Sequence, residues 1–437
     1  MPLLPTAAAE EKIDGVPVAL RAPRDGVPPV VADAAGLRGV IAAFQDGTGP
    51  VAVDAERASG YRYGQRAYLI QLRRAGAGSA LIDPIACPDL SGLQAVIGNL
   101  EWVVHAASQD LPCLAEVGLV PALLFDTELA GRLAGHPRVG LGAMVESVLG
   151  LSLEKGYSAA DWSRRPLPEP LLRYAALDVE LLIELRDRLE AELAAQGKLA
   201  WAHQEFAAIQ QASPVVRAER WRRTSGIHRV RTRRQLAAVR ALWETRDTVA
   251  RSRDIAPGRI LPDAAIIAAV LTKPRTIAEL TSLRVFAGRA TRRNAERWWA
   301  ALRRAETLPE DDLPGPAPAG DGPPPAHRWS ERDPAAARRL SAARAAVGTI
   351  AESLRLPVEN LLSPDLVRRL AWQPPAAITE GAIADQLRSR GARPWQVQLT
   401  ASPLAATLAA SVTATSTTAT DSSAAPEDAG PGTGSPR

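Results

Sequence analysis

Cysteine and histidine are scarce in this chain. Two cysteines, Cys87 and Cys113, in 437 residues cannot build a disulfide framework or a cysteine-based zinc site. The five histidines are scattered and form no HExxH pair, which argues against a zinc enzyme. No GxxxxGK[ST] loop occurs, so the chain has no P-loop nucleotide engine. The opening MPLLPTAAAEEKIDG lacks the cationic start and apolar core of a signal peptide. Residues 395–420 carry no charge, but their Ser, Thr and Ala content is too polar to span a bilayer. A cytoplasmic location without membrane contact is therefore expected.

Lysine is nearly missing as well, with four among 52 basic residues. The arginines that replace it are unevenly placed. Between Trp201 and Thr307 there are 22 basic and 9 acidic residues, whereas the remainder is net acidic. A basic middle of this kind is the footprint of a polyanion-binding module, or else a solvated Arg-rich helical surface.

Length implies more than one domain. Residues 1–33, with Pro23, Gly26, Pro28 and Pro29, read as an extended lead-in. Residues 34–205 mix strand and helix signals. Strands are expected at VAVDAE, AYLIQLRR, SALID and EWVVHA, with helices near 108–117 and 126–134 and a long one from Pro170 to about Gln196. Residues 215–310 are helical throughout. LPGPAPAGDGPPPA marks a linker over 311–329, residues 330–400 are helical again, and the Ser/Thr-rich tail over 401–437 is expected to be disordered. ARSRDIAPGRILPDAAIIAAV (250–270) and AESLRLPVENLLSPDLVRRLAW (351–372) look like a diverged repeat.

Chemistry is suggested by acids in apolar settings. In VAVDAERASG, Asp54 and Glu56 share one face of a strand, an expensive pairing unless a cation sits between them. On the long helix, Asp178 interrupts the stripe Leu171, Ala175, Leu182, Leu185, Leu189, with Tyr174 one turn earlier. Asp178 is either a metal ligand or half of a buried salt bridge to Arg173 or Arg165. In HAASQDL, Ser108 reads as an N-cap and Asp110 as a first-turn acid, where the helix dipole alone would favour it. Four carboxylates meeting in one cleft would need cations, and carboxylate oxygens are the donors that Mg²⁺ and Mn²⁺ prefer.

The ordered motifs VAVDAERASGYRYGQRAYLIQLRR, HAASQDLPCL and YSAADWSRRPLPEPLLRYAALDVELL resemble those of the ribonuclease D family, DEDDy 3′→5′ exonucleases. LVPALLFDTELAGRLAG between the last two is similar as well. The resemblance implies an α/β ribonuclease-H-like exonuclease domain with a mixed central sheet over 34–205. An HRDC domain would follow at 215–310, and a second HRDC-like helical domain at 330–400. It implies Asp54, Glu56, Asp110 and Asp178 as ligands of two divalent ions, Mg²⁺ or Mn²⁺, with Tyr174 orienting a water. The implied activity trims RNA 3′ ends, tRNA precursors included, releasing 5′-nucleotides. Lys155 and Arg165 are candidate contacts to substrate phosphates, and His105 is expected to pack or hydrogen-bond beneath the site. Trp221, Trp243, Trp298 and Trp299 are stacking candidates, most of them expected to be buried. Two alternatives stay open: a non-catalytic RNA-binding protein on an exonuclease fold, and a repair-linked exonuclease acting on single-stranded DNA.

Overall fold

The computed structural model describes residues 17–153, 156–157, 159–212, 218–315 and 322–420, with side chains to Ser411. Among these, strands occur only before residue 154. They are β1 (Val18–Leu20), β2 (Val30–Val31), β3 (Thr48–Arg57), β4 (Ala67–Ala75), β5 (Gly78–Ile82), β6 (Glu101–Val104), β7 (Leu123–Asp126) and β8 (Leu151–Leu153). Six of them form one mixed sheet in the order β2-β5-β4-β3-β6-β7, with β3–β4 and β4–β5 antiparallel and the rest parallel. The described part of the proline-rich lead-in, from Pro17 on, is thus part of the structure, and residues 1–16 lie outside the described residues. Val30–Val31 forms a sheet edge, and Val18–Leu20 pairs in parallel with β8 as a separate ribbon.

Strand β3 lies inside the sheet, and both its faces are covered. Val51, Ala52 and Val53 are fully buried, which is why this run reads as nearly continuous apolar residues rather than alternation. Helix α1 (Ala34–Asp46), capped by Asp33 accepting from the Gly36 N–H, buries Leu37 and Phe44. Helices α2 (Ser91–Ile97), α3 (Leu111–Glu116), α4 (Thr127–Ala134) and α5 (Leu141–Met144) follow. The expected long helix from Pro170 is two helices, α6 (Glu169–Glu180) and α7 (Leu182–Ala195). Leu181 leaves helical geometry, at φ −111° and ψ 2°, between them. The apolar stripe runs through this break, because Leu171, Ala175, Leu182, Leu185 and Leu189 are all buried. Periodicity alone could not reveal the interruption.

After α8 (Leu199–Gln210) the described residues form helices and no strand: α9 (Arg233–Arg253), α10 (Pro257–Ile260), α11 (Asp263–Thr272), α12 (Ile277–Ser282), α13 (Arg289–Arg293) and α14 (Ala295–Thr307). A capping box of Thr232 and Gln235 starts α9. The module closes around Val239, Leu242, Ile266, Phe286 and Trp298. Leu313, at the start of the proposed linker, is buried and packs with Ala237 and Ala305. By contact density, this module and the sheet form one compact unit.

The second unit comprises Arg132–Pro137, Gly197–Glu205 and the chain from Ala319. It contains α15 (Trp329–Arg332), α16 (Pro334–Ser353), α17 (Val358–Leu361), α18 (Pro364–Trp372), α19 (Glu380–Ser389) and α20 (Pro394–Thr420). The expectation of disorder from residue 401 is overturned for the first part of that segment. Ala401, Leu404, Ala405 and Leu408 are buried at helical spacing along α20. Residues 421–437 lie outside the described part.

The suspected repeat has structural counterparts. Asp254 caps α9 and Arg355 directly follows the cap of α16, both in the left-handed region, at φ 48° and 53°. Each is followed by a single-turn helix (α10, α17), an extended leucine (Leu261, Leu362) and a further helix (α11, α18).

Candidate active site

Asp54 and Glu56 leave β3 on the face covered by α6 and α7. Ala52, on that same face, packs with Val179 and Leu182. Leu69, paired with Glu56 in the β3–β4 ladder, packs with Leu171 and Ala175. Helix α6 thereby sets Asp178 over the strand. Carboxylate oxygens of Asp54, Glu56 and Asp178 lie within 4.8 Å of one another. Asp110, Tyr174 and His105 line the same cavity, of about 440 Å³.

Asp110 arrives differently from the sequence-based expectation. Ser108 does not cap a helix holding Asp110 in its first turn; it lies in a short 3₁₀ turn, Ala107–Gln109. Asp110 itself occupies the N-cap position of α3, yet its side chain makes no capping hydrogen bond. The side chain is buried and paired with Arg57 at 3.3 Å. What fixes this turn is Asp126 at the end of β7. Its carboxylate accepts from the N–H groups of Ala106 (3.1 Å) and Ala107 (2.9 Å), and from Glu128 (2.9 Å) and Leu129 (3.2 Å) at the start of α4. Ala106 takes the left-handed conformation, φ 58°, strain that this anchoring sustains.

Burial drives the electrostatics. It pushes the Glu56 carboxyl up to about 10, with Asp54, Asp178 and Asp110 adding repulsion. Asp110 rises to about 8 through burial and Asp54, against the pull of Arg57. Asp54 and Asp178 move in the same direction, chiefly through burial. The Tyr174 phenol, hydrogen-bonded to Asp178, is also raised by burial and by Asp178. Its ring lies between those of Tyr157 and Trp162, with centroids 5.7 and 6.3 Å away. His105 is pushed the other way, down to about 4, by burial. Its Nδ1 is 2.9 Å from the Thr127 hydroxyl, so it stays neutral in ordinary buffers.

Among the described residues, four acids therefore converge with a single guanidinium lining the same cavity. The carboxylate oxygens of Asp54, Glu56 and Asp178, within 4.8 Å of one another, are donors that fit a hard divalent cation, and the site is built for divalent metal.

Other candidates lie elsewhere. Arg165 is spent on structure: Nε donates to Asp83 (2.5 Å), Nη2 to the Tyr68 carbonyl (2.7 Å) and Nη1 to the Trp162 carbonyl (2.8 Å). Its guanidinium holds the loop before α6 against the sheet, so its assignment to substrate phosphate is withdrawn. Lys155 lies outside the described residues. Trp221 and Trp298 are core residues, while Trp243 and Trp299 are partly buried with arginines over their rings. Sequence reasoning missed Arg57 and Asp126. Arg57 directly follows Glu56 in the first motif; Asp126 precedes Thr127-Glu128 at a strand-to-helix junction, the usual place for a capping acid.

A 3′-5′ exonuclease family model matches residues 29–194, an HRDC domain model 235–302, and a 3′ to 5′ exonuclease C-terminal domain model 322–408. Ribonuclease D of Escherichia coli (strain K12) is 34% identical over 272 residues, spanning 61% of this chain and 72% of that protein. The chain belongs to the ribonuclease D family. Among solved structures, a protein from Bifidobacterium adolescentis matches with TM-score 0.84 and 38% identity, covering 90% of this chain and all of that one. Escherichia coli RNase D, described as an exoribonuclease involved in structured RNA processing, matches with TM-score 0.63 and 28% identity, over 83% of this chain and 98% of that one. This ribonuclease D homologue is a 3′→5′ exoribonuclease, and the non-catalytic alternative falls. Among the described residues, no helix is long and apolar enough to cross a membrane.

Proposed function

We propose that this exoribonuclease uses two divalent ions, Mg²⁺ or Mn²⁺, and trims 3′-extended RNA such as tRNA precursors, releasing 5′-nucleotides. The observation that carries the two-ion reading is the approach of Asp54, Glu56 and Asp178 to within 4.8 Å, with Asp110 in the same cavity. Asp54, Glu56 and Asp178 would hold one ion, and Asp54 with Asp110 the other. When bound, such a pair lowers the pKa of water and steadies the leaving oxygen of a phosphodiester.

The protein's own groups do the rest. Tyr174 keeps its proton, because burial and Asp178 raise its pKa, and donates it to Asp178 in a hydrogen bond; the phenol is thus no base, and its oxygen is left to accept from, and so orient, a water at the scissile phosphate. Its bond to Asp178 and the flanking Tyr157 and Trp162 rings limit its rotation. Arg57 holds Asp110 toward the cavity. The test is digestion of a 3′-extended tRNA precursor by wild type and Asp178→Asn, in Mg²⁺, Mn²⁺ and EDTA, with a matched single-stranded DNA arm. A ladder shortening one nucleotide at a time, lost in EDTA and in the variant, is expected. Intact precursor under conditions where Escherichia coli ribonuclease D digests it would sink the tRNA reading, and a faster DNA arm would move the substrate to DNA.

A further inference from the structure

The loop joining β3 to β4 is gripped from both sides. It starts at Ala58, two residues past Glu56, and Ser59 lines the acidic cavity. Its other side rests on α9 and α10 of the first helical module. The Ala256 N–H donates to the Tyr61 carbonyl (2.9 Å), and Arg259 Nε donates to the Gly60 carbonyl (2.7 Å). The Arg259 guanidinium also sits 4.1 Å from the centre of the Tyr61 ring. The Tyr63 hydroxyl donates to Asp247 at 2.9 Å, its N–H donates to Asp254 at 3.3 Å, and its ring packs against the module's apolar core. On the catalytic side, Arg62 Nε donates to the Ser163 hydroxyl at 2.8 Å. Ser163 follows Trp162, whose ring flanks Tyr174.

A continuous set of contacts thus runs from α9–α10 through one loop to the end of the strand bearing Glu56 and to the segment packed on Tyr174. We infer that docking of loop 58–63 on the first helical module positions the catalytic groups, with Arg259 and Tyr63 as positioning residues. The module then acts on turnover and not only on RNA affinity. This rests on the exonuclease reading above. Arg259 is the informative residue, because an exposed arginine on a basic module would otherwise be taken for a phosphate contact. Its Nε and its flat face are already committed to Gly60 and Tyr61, a fork-and-stack geometry that lysine does not reproduce.

The test uses the full chain as wild type, Arg259→Ala, Arg259→Lys and Tyr63→Phe, with Mn²⁺ and a single-stranded RNA. Steady-state kinetics are paired with amide hydrogen exchange of the metal-free protein. Both Arg259 variants are expected to lower kcat about ten- to a hundredfold, as for a small misplacement of catalytic groups. Tyr63→Phe is expected to lower kcat in the same direction, KM is expected to stay within about twofold, and amides 58–63 should exchange faster. Wild-type kcat retained by Arg259→Lys, with KM raised in Arg259→Ala, would make Arg259 a phosphate contact and overturn the inference. Faster exchange with unchanged kcat in every variant would make the dock passive and overturn it equally. An active wild type in these assays isolates either failure to this inference, whereas an inactive wild type would overturn the exonuclease reading with it.

Discussion

Arg57 and Asp110 pair at 3.3 Å, joining the end of the catalytic strand to the turn before α3. Among the described residues, Arg57 is the one arginine or lysine lining a cavity that holds four acids. Its loss leaves Asp110 buried without a cation. Arg57→Met is expected to destabilise the metal-free protein by about 1–3 kcal/mol, and Mn²⁺ should narrow the gap to wild type. Chemical denaturation in EDTA and in Mn²⁺ measures both.

The acids that would bind metal oppose the fold without it. Asp178→Asn should abolish exonuclease activity, on the order of 10³-fold or more if metal and water are both misplaced. The same variant should leave metal-free stability unchanged or raised by about 1 kcal/mol. A thermal melt in EDTA checks this, and a large loss of stability would show that Asp178 has a structural partner instead.

The raised carboxyls set a sign for pH. Folded and metal-free, Glu56 titrates at about 10 instead of its usual 4.5, and Asp110 at about 8 instead of 3.8, chiefly through burial. Between the unfolded and folded values the native state binds more protons than the unfolded one, so its stability falls as pH rises. Metal replaces those protons. The rise in Tm on adding Mg²⁺ should therefore be larger at pH 8.5 than at pH 6.5, and an equal rise at both would contradict this origin.

Tyr174→Phe removes the hydroxyl but keeps the ring between Tyr157 and Trp162. A loss of kcat of about 10²-fold, as for a misplaced attacking water, is expected with metal affinity retained. Because the phenol is raised above its usual value, the wild-type pH profile should show no limb from its ionisation below pH 10. Kinetics across pH with a Mn²⁺ titration separates the two effects.

Leu404 and Leu408 are fully buried on α20. Each change to Ala should cost about 2–5 kcal/mol, read by denaturation of the full chain. A change below about 0.5 kcal/mol, the range of surface substitutions, would return this segment to the disordered class.

Most of the sheet was legible because β3, β4, β5 and β6 carry their apolar runs in sequence. Strands β1, β2 and β8 are two or three residues long, too short for a period to emerge, and the four-residue β7 runs directly into α4 at Thr127. The break at Leu181 was hidden because the buried stripe crosses it unbroken. Asp54, Glu56 and Asp178 could be read as acids in apolar surroundings. Asp110 could not be read from its local sequence, since its side chain ignores the helix that it begins and answers to Arg57 and Asp54. Arg165 misled for a related reason. A charge near a motif says nothing of its partner, and Asp83 lies 82 residues away.

The two helical modules, alike in the helix, turn and leucine order at Asp254 and Arg355, differ where it matters to the loop beside the acids. At the register that aligns Asp254 with Arg355, Asp247 becomes Gly348, Arg259 becomes Asn360, and Ala256 becomes Pro357, which has no N–H to give. Duplication would thus have produced two copies with one architecture and unequal duties. A chimera carrying the later copy in the earlier one's place would inherit the helices but none of the polar grips on Gly60, Tyr61 and Tyr63.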